Sequence, residues 1–191
     1  MIAAERLRYL QDRIARADDQ YAYKELFAAF YSYLMQFGMS LVRSRQTAEE
    51  VVSDVFIKIW QKRGDLHKIS DLRIYLYVAT RNTALNYLDK QKRLDSKKLE
   101  FASRPSGFSF DPEQLMITTE MMARIEKAID HLPPKCKVIF KLVKEDCLKY
   151  REVSEILNIS VKTVENQLAI ALRKIGSEIN FEIEKTIPTP V

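Results

Sequence analysis

Apolar side chains recur three and four residues apart along nearly the whole chain, which is the period of an α-helix and not of a strand. The clearest run is Tyr23, Leu26, Phe27, Phe30, Leu34, Phe37 and Leu41. Thr47-Ala48-Glu49-Glu50 then has the pattern of a capping box, in which Thr47 and Glu50 would satisfy each other's orphan amides. Behind it Val51, Val52, Val55, Phe56, Ile59 and Trp60 make one broad stripe, with Glu50, Asp54, Lys58 and Lys62 off it. Gly64 is expected to end this helix, and His67-Lys68-Ile69-Ser70 to form a loop. Ser70 or Asp71 would cap a third helix running to about Lys92, with Ile74, Val78, Leu85 and Leu88 facing inward. Only 4 Gly and 6 Pro in 191 residues argue against a turn-rich all-β chain. The predicted fold class is all-α.

Periodicity fails from Asp95 to about Thr118, where SKKLEFASRPSGFSFDPEQ has linker composition. Phe101, Phe108 and Phe110 leave open a tether that is free or one seated on a partner. Helical spacing returns at Leu115, Met121, Met122, Ile125 and Ile129, stops at Pro133-Pro134, and resumes with Val138, Ile139, Leu142 and Val143. The stretch from Tyr150 then gives a short helix, the turn Asn158-Ile159-Ser160, and a longer helix opened by Ser160 as N-cap, the outline of a helix-turn-helix. Two small helical domains are therefore expected: a three-helix-type domain over 1–94 and a helix-turn-helix domain over 119–180. Residues 95–118 would join them, and 181–191 would be a tail.

Several function classes find no support. The first 20 residues are charged throughout, with no apolar core of a secretory signal, and their net charge of zero argues against a simple DNA arm. Nothing approaches the ~20 apolar residues of a spanning helix, so no membrane insertion is expected and a cytoplasmic location is the default. Cys136 and Cys147 fit a disulfide or ligand pair, or small buried apolar residues in a reducing compartment. His67 and His131 lack metal-type spacing, so neither a metal nor another cofactor is expected. No phosphate-cradling glycine loop, nucleophile elbow or acid/base cluster is visible, and the chain is not expected to be an enzyme.

Lys and Arg exceed Asp and Glu by 31 to 26, a net +5, and the excess is placed unevenly. Residues 81–98 hold six cations against two acids, and residues 135–151 do the same. Basic charge in both halves points to two separate contacts with a polyanion. In the second half, Val161, Val164, Leu168, Leu172 and Ile175 should pack inward. The opposite face would present Lys162, Thr163, Glu165, Asn166 and Arg173. Asn166 can bond an adenine edge bidentately and Glu165 can accept from a cytosine amino group, while Lys162, Arg151 and Arg173 suit phosphate. In the first half, Tyr75, Tyr77 and Tyr87 interleave with Arg81, Asn82 and Asn86, ahead of Lys90 and Arg93. Such a helix suits unstacked bases, although tyrosines at a core edge give the same pattern.

Taken together, three segments resemble extracytoplasmic-function (ECF) sigma factors, the smallest members of the sigma-70 family. They are residues 47–60, residues 77–88, and His131-Leu132-Pro133-Pro134 followed by the helix-turn-helix. The resemblance implies a region 2-like domain whose amphipathic helix docks on the clamp coiled coil of core RNA polymerase. Glu50, Asp54 and Lys58 would be contacts there, with Val52, Phe56 and Trp60 split between core and interface. It also implies capture of the melted minus-10 element by the third helix and the loop before it. A region 4-like domain would read the minus-35 duplex, the linker would thread toward the polymerase active centre, and an anti-sigma factor is an expected partner. Asn86 stands where many members carry Asp, and Glu165-Asn166-Gln167 where many carry a basic pattern, so promoter sequence does not transfer. Residues 157–167 also resemble the output domain of LuxR-type activators, which makes a helix-turn-helix regulator acting without polymerase the alternative.

Overall fold

The computed structural model describes the backbone of residues 2–95 and 118–186, and side chains over 2–91 and 122–179. The described residues fall into two compact units: α1–α4 in one, and α5, α6, the first half of α7 and α8 in the other. All regular structure among them is helical: α1 Ala4–Ala17, α2 Gln20–Val42, α3 Arg45–Gln61, a 3-10 helix Arg63–Lys68, α4 Leu72–Asp95, α5 Thr118–Asp130, α6 Pro134–Lys144, α7 Tyr150–Leu157 and α8 Val161–Thr186. The all-α, two-part reading is therefore right. The linker phenylalanines Phe101, Phe108 and Phe110 lie outside the described residues.

In the first unit α2, α3 and α4 pack on one another around Leu26, Phe30, Leu34, Val51, Val52, Val55, Phe56 and Leu76, all buried. Each such side chain removed from water contributes about 1.5–3 kcal/mol before the entropy of ordering the chain is charged against it. Helices α2 and α3 approach closely where Gly38 meets Ala48: a Cβ on Gly38 would lie 3.5 Å from the Ala48 Cβ, an ordinary van der Waals contact, so alanine fits there.

The N-terminal segment, to which the sequence assigns no role, is a fourth helix of this unit. Leu7, Leu10 and Ile14 are buried at helical spacing. Arg6 bonds Glu25 on α2 with Nε at 2.8 Å, Arg13 pairs with Asp19 at 2.8 Å, and Arg63 holds Asp18. Those arginines keep the carboxyls of Glu25 and Asp18 below their ordinary range. Most charges of the segment are thus engaged in ion pairs, within it or with Glu25 and Arg63.

Three local expectations are corrected. Helix α3 begins three residues earlier than the capping-box reading, because the Ser44 hydroxyl accepts the Thr47 amide at 3.3 Å and Thr47 sits inside the first turn. It ends at Gln61, not at Gly64, which lies within the 3-10 helix formed by what was expected to be loop. On α4 the buried stripe is Leu72, Leu76, Tyr77, Thr80, Thr83 and Ala84; Leu85 is 40% exposed, and Ile74, Val78 and Leu88 are half-buried. As expected, Asp71 caps α4, its Oδ1 accepting the Ile74 amide at 3.1 Å.

The second unit is held by Ala128, Leu132, Cys136, Ala171 and Ile175, where α8 meets α5 and α6. Here Ala171 takes the inward position expected of Leu172, which is 47% exposed. The small residue lets α8 approach its neighbours. Pro134 starts α6 at a position whose N–H would be unpaired anyway. Both cysteines are free: Cys136 is buried with its thiol toward Gln167 Oε1 at 3.1 Å, whereas Cys147 is exposed, contrary to the buried reading. The helical backbone of α8 continues to Thr186, past the expected tail boundary at 181.

Candidate nucleic-acid and polymerase interfaces

The helix-turn-helix is built by local chemistry. Glu152 Oε2 accepts the Lys149 amide at 2.8 Å at the start of α7. Asn158 adopts φ 55°, a left-handed conformation that asparagine tolerates better than most residues. The Asn158 amide bonds Glu155 O at 3.2 Å and the Ile159 amide bonds Ser154 O at 3.0 Å, the paired bonds of a Schellman stop. Ser160 then caps α8, its Oγ accepting the Thr163 amide at 3.1 Å. Val164 and Leu168 are buried, and Lys162, Thr163, Glu165, Asn166 and Arg173 are all exposed, as is Arg151 on α7. Each expected reading residue is thus open to solvent, with Lys162, Thr163, Glu165 and Asn166 all in the first turns of α8. Three of them begin with internal partners: Lys162 Nζ lies 3.3 Å from Glu165, and the Thr163 hydroxyl shares a 2.8 Å bond with Ser160. The exposed ion pair is weak and gives way readily to a stronger acceptor.

On α4, Tyr75, Asn82, Asn86 and Lys90 are exposed and share one face at about 3.6 residues per turn. Arg81 lies at its edge, with Nη1 3.4 Å from Asn82 Oδ1. Arg93 continues this face along the backbone, its side chain outside the described residues. Tyr77 does not belong there. It is fully buried with its ring centroid 5.3 Å from that of Phe37, so its assignment to a base-stacking surface is corrected to core. The expectation failed because tyrosine spacing alone cannot tell a platform from a core edge.

On α3, Glu50 and Lys58 are exposed and Asp54 between them is half-buried. Asp54 is already engaged, accepting the Tyr87 hydroxyl of α4 at 2.9 Å. That bond, followed by burial and the nearby Asp54 and Glu50 charges, raises the Tyr87 phenol above its ordinary value. Trp60 stands on a different side of the helix. Its ring packs 4.9 Å from Tyr23 and lies under the Arg63 guanidinium at 4.6 Å. Val52 and Phe56 are core outright, which leaves half-buried Trp60 as the one of the three open to solvent. No group of three or more His, Cys, Asp or Glu side chains among the described residues could hold a metal, and no described helix is long and apolar enough to cross a membrane.

The geometry defines a class first: two compact units whose described regular structure is helical, and a capped helix-turn-helix with an exposed polar face. Comparison with known proteins then gives the family. The chain matches the family model for Sigma-70 region 2 over residues 26–94 and that for Sigma-70, region 4 over residues 122–175, together more than half its length. It belongs to the sigma-70 family, and several of its relatives are named ECF sigma factors. It is 24% identical over 187 residues to the RNA polymerase sigma-H factor of Pseudomonas aeruginosa, covering 94% of this chain and 96% of the relative. It is 28% identical over 138 residues to the ECF RNA polymerase sigma-E factor of Escherichia coli K12, covering 68% and 72%. Among solved structures it is similar in fold to the sigma factor RpoE of Bartonella quintana, crystallised with the anti-sigma factor NepR: TM-score 0.59, 20% identity, 82% of this chain and 96% of that one. It is likewise similar to CnrH in complex with the cytosolic domain of CnrY, at TM-score 0.55 and 19% identity, over 91% and 96%. The LuxR-type alternative loses ground, since region 2 matches the first unit and that unit is helical throughout its described residues.

Proposed function

We propose that the protein binds core RNA polymerase and directs it to a subset of promoters, reading the minus-35 element as duplex and the minus-10 element as melted strand. The observation that carries this reading is the exposed first turns of α8. A capped helix N-terminus there presents Lys162, Glu165 and Asn166 within a match to sigma-70 region 4. In that position Asn166 and Glu165 meet base edges, and Arg151, Lys162 and Arg173 meet phosphates. The α4 face of Tyr75, Asn82 and Asn86, with Arg81 and Lys90 beside it, offers one ring for stacking and amides for base edges, and so suits unstacked bases. Polymerase docking falls to Glu50 and Lys58 on the clamp-facing side of α3, and Asp54 supports them from within. An anti-sigma factor is the expected regulatory partner, by likeness in fold to a sigma factor crystallised with one. No reaction is assigned to the chain itself, in keeping with a family whose members are initiation factors.

Run-off transcription with core polymerase and a pool of genomic promoter fragments tests this reading. Discrete transcripts above core alone are expected, and Glu50→Arg should reduce them by weakening core binding. A transcript pattern unchanged by adding the protein would overturn the proposal.

A further inference from the structure

Gln11 is one of the few buried polar side chains of the first unit, 8% exposed, on the helix that precedes the region 2 match. Its amide nitrogen donates to two backbone carbonyls, Leu66 O at 2.5 Å and Ile69 O at 2.8 Å. Both acceptors lie more than fifty residues away in sequence, at the end of the 3-10 helix. There the Ile69 amide bonds back to Leu66 O at 3.0 Å, and two residues on Asp71 caps α4. The segment from Leu66 to Asp71 is thus tied at both carbonyls from one side. His67, Lys68 and Ser70 of this segment stand exposed. Apolar packing cannot fix this segment alone, because only Leu66 is buried and Ile69 is half-buried. An open cleft of about 350 Å³ borders it, lined by Arg8, Gln11, Arg16, His67 and Ser70.

We infer that Gln11 is a positioning residue for promoter opening: through Leu66 and Ile69 it sets the shape of the His67–Ser70 segment, which together with the α4 face holds the melted strand. This rests on the proposed function. A loop held in its binding shape before the strand arrives loses less conformational freedom on capture. The amide is suited to the task because one –NH₂ group carries two donors and can reach two carbonyls at once. It would make α1 part of the opening apparatus without touching DNA.

The test uses the reconstituted holoenzyme and, as probe, the non-template minus-10 strand of a promoter recovered in the run-off selection. Gln11→Met keeps the length and apolar stem of the side chain and removes both donors. Its affinity for core polymerase and for the minus-35 duplex should stay within twofold of wild type. Single-strand affinity, and strand opening followed by permanganate reactivity, should fall at least tenfold. Unchanged single-strand binding, or a fall shared equally by all three affinities, would overturn the inference. In the wild-type protein the Ile69 amide should be protected from hydrogen exchange, and exchange at the rate of an open chain would overturn it even if the variant failed to fold. A wild-type holoenzyme that opens no promoter would sink the proposed function instead, so the two failures are separable.

Discussion

The two units solve the same problem, displaying a polar face on a helix, by different means. At the helix-turn-helix the candidate surface is the first turns of one helix, fixed by a serine cap, a left-handed asparagine and the backbone bonds around them, all within about a dozen residues. In the first unit the candidate surface draws on α4, the 3-10 helix and α3, and is held by contacts between distant residues. Gln11 reaches Leu66 across 55 positions and Tyr87 reaches Asp54 across 33. A local surface depends little on the rest of its unit, whereas an assembled surface inherits every defect in the core behind it. That contrast can be broken experimentally.

The largest effect should come from Phe30→Ala. Phe30 is fully buried where α2 meets its neighbours, and truncating a buried Phe costs about 3–5 kcal/mol. The single tryptophan, Trp60, lies in the first unit, so its fluorescence reports that unit's unfolding alone. The Trp60 transition should move to markedly lower denaturant while minus-35 duplex binding survives. Loss of duplex binding in step with the Trp60 signal would mean the second surface is not self-sufficient.

Next comes Asn166→Ala, which removes one side chain from a self-contained surface and leaves the fold alone. It should cost about 1–3 kcal/mol at a single base position and nearly nothing elsewhere in the minus-35 element. Competition binding against a set of single-base variants reads this directly. An equal loss on every sequence would assign Asn166 to the backbone.

The same contrast explains what the sequence made legible. The helix-turn-helix could be read because its signals are neighbours: Asn158 at the turn, Ser160 at the cap, Val164 and Leu168 inward. The buried stripe of α4 is hidden in the sequence because it contains Thr80 and Thr83, which read as polar. In the fold Thr80 satisfies its own hydroxyl by donating to Leu76 O at 2.8 Å, and so costs little to bury. The competing stripe through Ile74, Val78 and Leu85 is more apolar in sequence and lies further out. Likewise Ala171 gives a weaker inward signal than Leu172, yet the close approach of α8 selects it. Gln11 carried no signal at all, since a glutamine among charges on an N-terminal helix looks solvated until its distant carbonyls are in place.

The finest test of an assembled surface is Tyr87→Phe, which deletes one hydroxyl and keeps the ring. The lost bond to Asp54 should cost about 0.5–1 kcal/mol, below the usual range for a charged acceptor because the pair is only half-buried. Its pH dependence distinguishes the bond from packing. The Asp54 carboxylate raises the Tyr87 phenol above its ordinary value of 10.0, so the stabilisation is fully present below that pH. It is lost as pH rises through the folded value, where the ionised phenol can no longer donate and faces a like charge. Wild type should therefore lose its advantage over Tyr87→Phe in the alkaline range, and thermal midpoints measured from pH 7 to 11 should converge. Curves that stay parallel would mean that α3 and α4 are held by their apolar faces alone, with the hydroxyl no more than a passenger on the exposed edge.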